Sequence, residues 1–345
     1  MELPTETITE ILVRLPVRSL LRCKRVCRSW RSLIEDPCFI AEHLKWSSCN
    51  RFLFTRYYSD SCSKYFISLL SSETLEVLRR IEIPYADRSG YFRIISSSNG
   101  IVCLASNHGV SLANPATGDF KLLTVDDPPR PCDILFSYGF GYNRRIDDYK
   151  LIQISGSTQR RRNRINRARV FSLNTGMWRE ITSPQCDIIY KFEGTVVEGI
   201  VHWIANGGAS EVILSLDLAD DKFGQQPLPD ISADDGNFKR LCVCDESLIL
   251  MVYSDSRRVG GINIWVRNSH DLQWTRLASI QSMVGIWRPV GMIRMGDILI
   301  ENNYGKLAAF DANTGDARYI RIDATNYPVQ FDFLPYVESL VMIKR

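Results

Sequence analysis

Glycine is missing from the first 89 residues of this 345-residue chain; the first is Gly90. Histidine is scarce, with four in all. No apolar run approaches the roughly 18 residues that a helix needs to span a bilayer. The opening Met1-Glu2-Leu3-Pro4-Thr5-Glu6 has no basic segment leading into an apolar one, so no secretory signal is expected. The ten cysteines, at 23, 27, 38, 49, 62, 103, 132, 186, 242 and 244, are then expected in the reducing cytoplasm or nucleus, mostly as small buried hydrophobes.

Motifs for chemistry are equally sparse. There is no His-Glu-x-x-His, and Cys242-Val243-Cys244 lacks a second Cys/His pair at zinc-site spacing, so no metal is expected. Gly139-Phe140-Gly141 lacks the third glycine and the βαβ setting of a dinucleotide loop. No nucleophile elbow or phosphate-binding loop occurs, and no catalytic residue or cofactor is expected. Asp147-Asp148 reads as a turn entering a strand rather than a pair of catalytic acids. His202-Trp203 follows a strand pattern and reads as a core pair.

Hydrophobic residues make up 45% of the chain and charged residues 23%, enough apolar material for a substantial core. The formal net charge of +3 is no nucleic-acid signature by itself. Two regions with different periods are expected. In residues 1–44, Ile8, Ile11, Leu12 and Leu15 follow the spacing of one helix face, with Pro4 suited to its first turn. Leu15-Pro16 interrupts the pattern. A second short helix carries Leu20 and Leu21; a third carries Val26, Cys27, Trp30, Leu33 and Ile34 and ends before Asp36-Pro37. Three helices in about 40 residues cannot bury Leu3, Ile8, Ile11, Leu12, Leu15, Leu20, Leu21, Val26 and Trp30 among themselves. The surplus marks a protein interface, or a contact with the rest of the chain.

From about residue 50 the period turns strand-like and alternating, as in Ile101-Val102-Cys103-Leu104, Lys150-Leu151-Ile152-Gln153-Ile154 and Val196–Trp203. A weak repeat places an Asx/Thr/Gly turn between apolar strands, with anchors at 71, 114, 174, 217, 268 and 311, spaced 43, 60, 43, 51 and 43. Such spacing suits the blades of a β-propeller, with a β-sandwich of similar hairpins as the alternative. The expected fold is multi-domain, α plus all-β: a three-helix unit in 1–44 and a propeller-like unit in 45–345.

The run from Leu3-Pro4 through Leu15-Pro16, Ser19-Leu20-Leu21-Arg22 and Val26-Cys27-x-x-Trp30 closely resembles an F-box. Ser97–Leu104, Asn114-Pro115-Ala116-Thr117-Gly118, Gly139–Tyr142 through Asp147–Lys150, Val170–Leu173, Gly199–Trp203, Ile264-Trp265-Val266 and Tyr336–Leu340 together resemble the F-box-associated domain of the plant family that includes S-locus F-box relatives. The resemblance implies a non-catalytic receptor subunit of a Skp–cullin–F-box ubiquitin ligase. Its F-box would dock a Skp adaptor, and through it cullin and RING subunits; its β domain would present a target protein. It implies adaptor contacts at Leu3, Pro4, Ile8, Ile11, Leu12, Leu15, Pro16, Leu20, Val26 and Trp30.

One feature is individual to this chain. Residues 160–169 hold six arginines, Arg160, Arg161, Arg162, Arg164, Arg167 and Arg169; without those six charges the net charge falls from +3 to −3. They are expected in a long exposed hairpin loop. Such a loop suits an acidic target or an import signal, or is merely a solvated, self-repelling loop. A propeller enzyme or lectin is the competing function, and RNA binding a third, but no RNA-binding module is recognisable.

Overall fold

The computed structural model describes residues 4–48, 52–59, 64–82, 92–106, 109–123, 134–157, 167–188, 194–231, 238–254, 261–268, 272–280, 286–302, 306–321 and 333–343. It opens with four short helices: α1 (Thr5–Val13), α2 (Val17–Cys23), α3 (Arg28–Glu35) and α4 (Pro37–Ser47). The three-helix expectation is short by one. Asp36-Pro37 ends α3 as expected, but it also starts α4. The Asp36 carboxylate accepts the Cys38 and Phe39 N–H groups at 2.8 and 3.4 Å, and Pro37 takes the first helical position, where its missing N–H costs nothing. Helix α4 runs across the division expected at residues 44 and 45.

Six small antiparallel sheets follow. The first joins β1 (Phe52–Ser59), β2 (Lys64–Ser71) and β3 (Val77–Glu82). The second is β4 (Phe92–Ser98), β5 (Ile101–Ser106), β6 (Gly109–Asn114) and β7 (Asp119–Leu123), and the third β8 (Ile134–Asn143), β9 (Asp148–Ser157), β10 (Arg167–Ser172) and β11 (Met177–Ile181). In the fourth, β12 (Asp187–Ile188) and β13 (Thr195–Val197) share one edge of β14 (Ile200–Asn206), followed by β15 (Glu211–Asp217) and β16 (Lys222–Pro227). The fifth is β17 (Phe238–Cys244), β18 (Ser247–Tyr253), β19 (Ile262–Arg267) and β20 (Trp274–Ile280). The sixth is β21 (Ile286–Arg294), β22 (Asp297–Asn302), β23 (Leu307–Asp311) and β24 (Ala317–Tyr319). The last strand, β25 (Phe333–Tyr336), returns to pair with β1, Phe52 opposite Tyr336, and completes the first sheet. The inner strands β25, β4, β8, β13, β17 and β21 adjoin one another around a closed ring. This is a six-bladed β-propeller, and the sandwich alternative falls away.

Each pair of neighbouring blades encloses its own apolar cluster, six in all. A second strand therefore buries both faces. On β5, Ile101 and Cys103 face blade three while Val102 and Leu104 face blade one. On β9, Leu151 packs toward blade two and Ile152 toward blade four. The strict in–out alternation expected from the sequence is thus replaced, in such strands, by near-continuous burial, because a blade has a neighbour on either side.

The repeat anchors all fall on one element, the turn between the two outer strands of each blade. In every blade the residue four after the anchor donates its N–H to the anchor carbonyl: Leu75 to Ser71, Gly118 to Asn114, Gly176 to Ser172, Asp221 to Asp217, Leu272 to Asn268 and Gly315 to Asp311, at 2.8–3.1 Å. The donor has positive φ in all six, from 54° to 82°. Gly or Asp, which tolerate the left-handed region, ends four of these turns, while Leu75 and Leu272 adopt it in the other two. The third anchor is Ser172 rather than 174, which turns the spacing into 43, 58, 45, 51 and 43.

Candidate protein-docking interface

The helices enclose a small core of Leu12, Val13, Val17, Leu20, Ile34 and Phe39, with Ile8, Leu15, Leu21, Trp30 and Leu33 half-buried around it. Buried His43 ties α4 to the α1–α2 corner: its Nε2–H donates to Leu15 O at 3.0 Å. Burial holds this imidazole below the usual histidine range, so its Nδ1 is free to accept from Ser47 Oγ at 3.4 Å.

The core is completed from the other end of the chain. Leu340, 1% exposed, sits among the helical residues, and Ala116 from the outer turn of blade two packs against them. The segment after β25 is pinned on both sides of Leu340. Asn114 Nδ2 donates to Ser339 O at 3.0 Å and Val341 O at 2.8 Å, while Ser339 Oγ donates to Asn99 O at 2.6 Å. Ile343 then enters the core between blades two and three. Gly100 permits the crossing: at φ +82° a Cβ there would lie 2.2 Å from Ser339 Oγ.

This geometry sorts the expected adaptor residues. Leu12 and Leu20, 2% and 0% exposed, are interior and hold the helices together. Ile8, Leu15 and Trp30 are half-buried on that core. Pro4, Ile11, Pro16 and Val26 face solvent, with Ile11 51% and Val26 65% exposed. Leu3 lies outside the described residues. Part of the apolar surplus is therefore covered by the propeller's own tail, which is the expected alternative of a contact with the rest of the chain.

The helices occupy one face of the propeller. Inner hairpin turns (99–100, 144–147, 198–199, 245–246, 295–296) and outer hairpin turns share that face, where Ala116 and Asn99 meet the helices and the tail. At the opposite face end the strands that flank 83–91, 124–133, 158–166, 232–237, 255–260 and 322–332, stretches outside the described residues. Arg160, Arg161, Arg162 and Arg164 lie in one of these, outside the described residues. Arg167 and Arg169 are not loop residues: both belong to β10, with Arg169 stacked over the Trp178 ring at 5.3 Å. Pairing of β10 with β9 starts at Arg167 opposite Ser155, which draws these two arginines into the ladder.

Other candidates are structural. Asp148 is buried at the start of β9, accepting from Ser172 Oγ at 2.6 Å and Asn174 N at 3.0 Å; Asp147 sits in the turn before it with φ 46°. Trp203 Nε1 donates to Tyr138 O at 3.3 Å inside the core, and neighbouring His202 is 4% exposed. Of the described cysteines, Cys103, Cys186 and Cys244 are buried and Cys23 and Cys242 half-buried, but Cys27 and Cys38 are exposed on the helices. Burial pushes the Cys242 thiol up to about 12, the behaviour of a core residue.

Comparison with known proteins finds two family models. An F-box-like family model matches residues 1–44, and a model of the F-box associated beta propeller domain matches residues 58–343. Similar proteins include an F-box/kelch-repeat protein of Arabidopsis thaliana, 27% identical over 92% of this chain and 90% of its own length. The F-box protein CPR1 of Arabidopsis thaliana is 26% identical over 99% of this chain and 89% of its own. A chain in the crystal structure of a nidogen/laminin complex shares the fold, with a TM-score of 0.51 at 10% identity, over 84% of this chain and 99% of that one.

Proposed function

Since the chain belongs to the F-box proteins that carry an F-box associated beta propeller domain, we propose that it is the substrate receptor of a Skp–cullin–F-box ubiquitin ligase. An F-box implies a Skp-type adaptor as partner, and residues 1–44 are the adaptor-docking part. The observation that carries the reading is the pair of large aliphatic residues, Ile11 on α1 and Val26 in the α2–α3 turn, left exposed beside a helical core that Leu340 completes. Burying two such side chains contributes about 1.5–3 kcal/mol each before the costs of association.

Residues 45–345 then hold the target, on the face opposite the helices, where the strands that flank the longest sequence gaps end. The arginines at 160, 161, 162 and 164, between β9 and β10 in sequence, favour an acidic target segment. Ubiquitination needs no catalytic side chain from this chain. Fixing target and adaptor on opposite faces of a rigid body raises the effective concentration of a target lysine near the activated thioester held by other subunits.

The test is binding of the full chain to a purified plant Skp adaptor, beside an Ile11→Asp/Val26→Asp variant. Saturable binding by the parent, weakened at least about 30-fold in a variant of unchanged circular dichroism, is expected from burying two charges in an apolar seat. A well-folded parent that does not bind sinks the proposal. Leu12 and Leu20 are unsuitable probes, because truncating either opens the helical core.

A further inference from the structure

Between Glu10 and Glu35 the chain carries seven basic residues and no acidic one. Two of them, Lys24 and Arg31, lie 3.6 and 3.4 Å from Glu35. The other five, Arg14, Arg18, Arg22, Arg25 and Arg28, are exposed and have no ion-pair partner among the described residues. Their placement is ordered. Arg18 and Arg22 stand one helical turn apart on α2, and Arg25 follows in a tightened turn where its N–H reaches Arg22 O at 2.9 Å. Spacings of four and three put this trio on one side of the helix. The opposite side carries Val17 and Leu20, both buried in the helical core.

Folding alone does not select this stripe. The arginines repel one another at separations within the roughly 10 Å Debye length of 0.1 M salt. Arg28 opens α3, at the end of a helix where the macrodipole disfavours a cation. Ile11 and Val26, the exposed aliphatics, flank the stripe in sequence. An apolar seat with a cationic border is what a protein surface of complementary shape and negative charge would match. Nucleic acid is the poorer fit: it has no use for exposed Ile and Val, and α1–α3 offer only a half-buried Trp30 as a stacking ring.

We propose that this arginine stripe is the electrostatic half of the adaptor contact: the Skp-type adaptor presents carboxylates to Arg18, Arg22 and Arg25 around an apolar seat for Ile11 and Val26. The inference rests on the adaptor reading above and adds the chemistry of the partner's face. Its consequence is kinetic. Charges at the border of an interface accelerate encounter, and that acceleration is lost as salt rises.

The experiment measures association and dissociation of the full-length chain with a purified plant Skp adaptor at about 50 and 500 mM salt. The parent is compared with Arg18→Glu/Arg22→Glu/Arg25→Glu and with Arg18→Lys/Arg22→Lys/Arg25→Lys. Support is an association rate of the parent that falls about tenfold or more with salt, a comparable loss at low salt in the glutamate variant, and retention in the lysine variant, all three melting alike. Binding by the parent that is insensitive to salt and unchanged in the glutamate variant overturns the stripe while leaving the adaptor reading standing. Absence of binding by the folded parent overturns both. Should the parent instead bind a short RNA duplex, with this binding lost in the glutamate variant and adaptor binding intact, the stripe belongs to nucleic acid and the proposal is wrong.

Discussion

His202 shows at the scale of one residue how the propeller core constrains chemistry. Its ring is buried, its Nδ1 has no hydrogen-bond partner among the described residues, and burial, helped by the charge of Arg267, pushes its pKa down to about 3. His43 is shifted in the same direction by burial. The unfolded chain, with histidine near 6.5, therefore binds protons that the folded chain refuses. Stability contributed by the neutral ring is complete above about pH 6.5 and is lost progressively as pH falls from there toward about 3. The melting temperature is expected to drop between pH 7.5 and 5, and to drop less in a His202→Asn variant; equal slopes in the two would mean that other groups carry the acid sensitivity. The residue's role was legible beforehand, since a histidine inside the strand pattern Gly199–Trp203 reads as core. Its coupling to Arg267, some 65 residues away in the next blade, was not.

The element that most changes the reading of the chain is the segment 337–343 between the last strand and the C-terminal residues. It belongs to the propeller by sequence position and to the helical core by contact. Leu340 fills that core, and Ser339 and Val341 on either side are held by Asn114. A Leu340→Ala substitution leaves a cavity among α1, α2 and α3, and is expected to cost about 2–5 kcal/mol. The loss should be local. Hydrogen exchange of the α1 and α2 amides should speed up, while the amides of β14, β15 and β18 in distant blades keep their protection. Uniform loss across all blades would show that the tail serves the ring instead. Sequence could not reveal this contact, because an apolar residue in a terminal stretch carries no period. The six outer turns are the contrary case. Five anchors, Ser71, Asn114, Ser172, Asp217 and Asp311, cap backbone N–H groups and the fifth residue of every turn takes positive φ, so a local chemical rule wrote the blade repeat into the chain.

At the scale of the molecule, the two ends of the chain meet. Strand β25 closes the ring on β1, and the residues after it complete the helical unit. The two parts are therefore unequal in their dependence. Residues 49–345 keep all six interblade clusters and lose only the cover over Leu340 and Ala116. Residues 1–48 alone lose a fully buried leucine from a core already marginal in size. The propeller fragment is expected to unfold cooperatively on heating, and the helical fragment to show little structure by circular dichroism until an adaptor is added. A stably folded 1–48 fragment would show that Leu340 is dispensable.

What the sequence determined by itself was whatever depends on neighbours along the chain. The α1–α2 break at Leu15-Pro16, the end of α3 at Asp36, the turn chemistry of each blade and the change from helical to strand-like periodicity all rest on spacing and backbone preference. Tertiary structure decided what depends on where distant segments meet: that Leu12 and Leu20 are interior while Ile11 and Val26 remain open, and that Arg167 and Arg169 belong to a strand. An apolar or charged side chain has the same composition whether it is covered or not. Only the closing of the ring, with its tail laid across blade two into the helical core, fixes which ones are left for a partner.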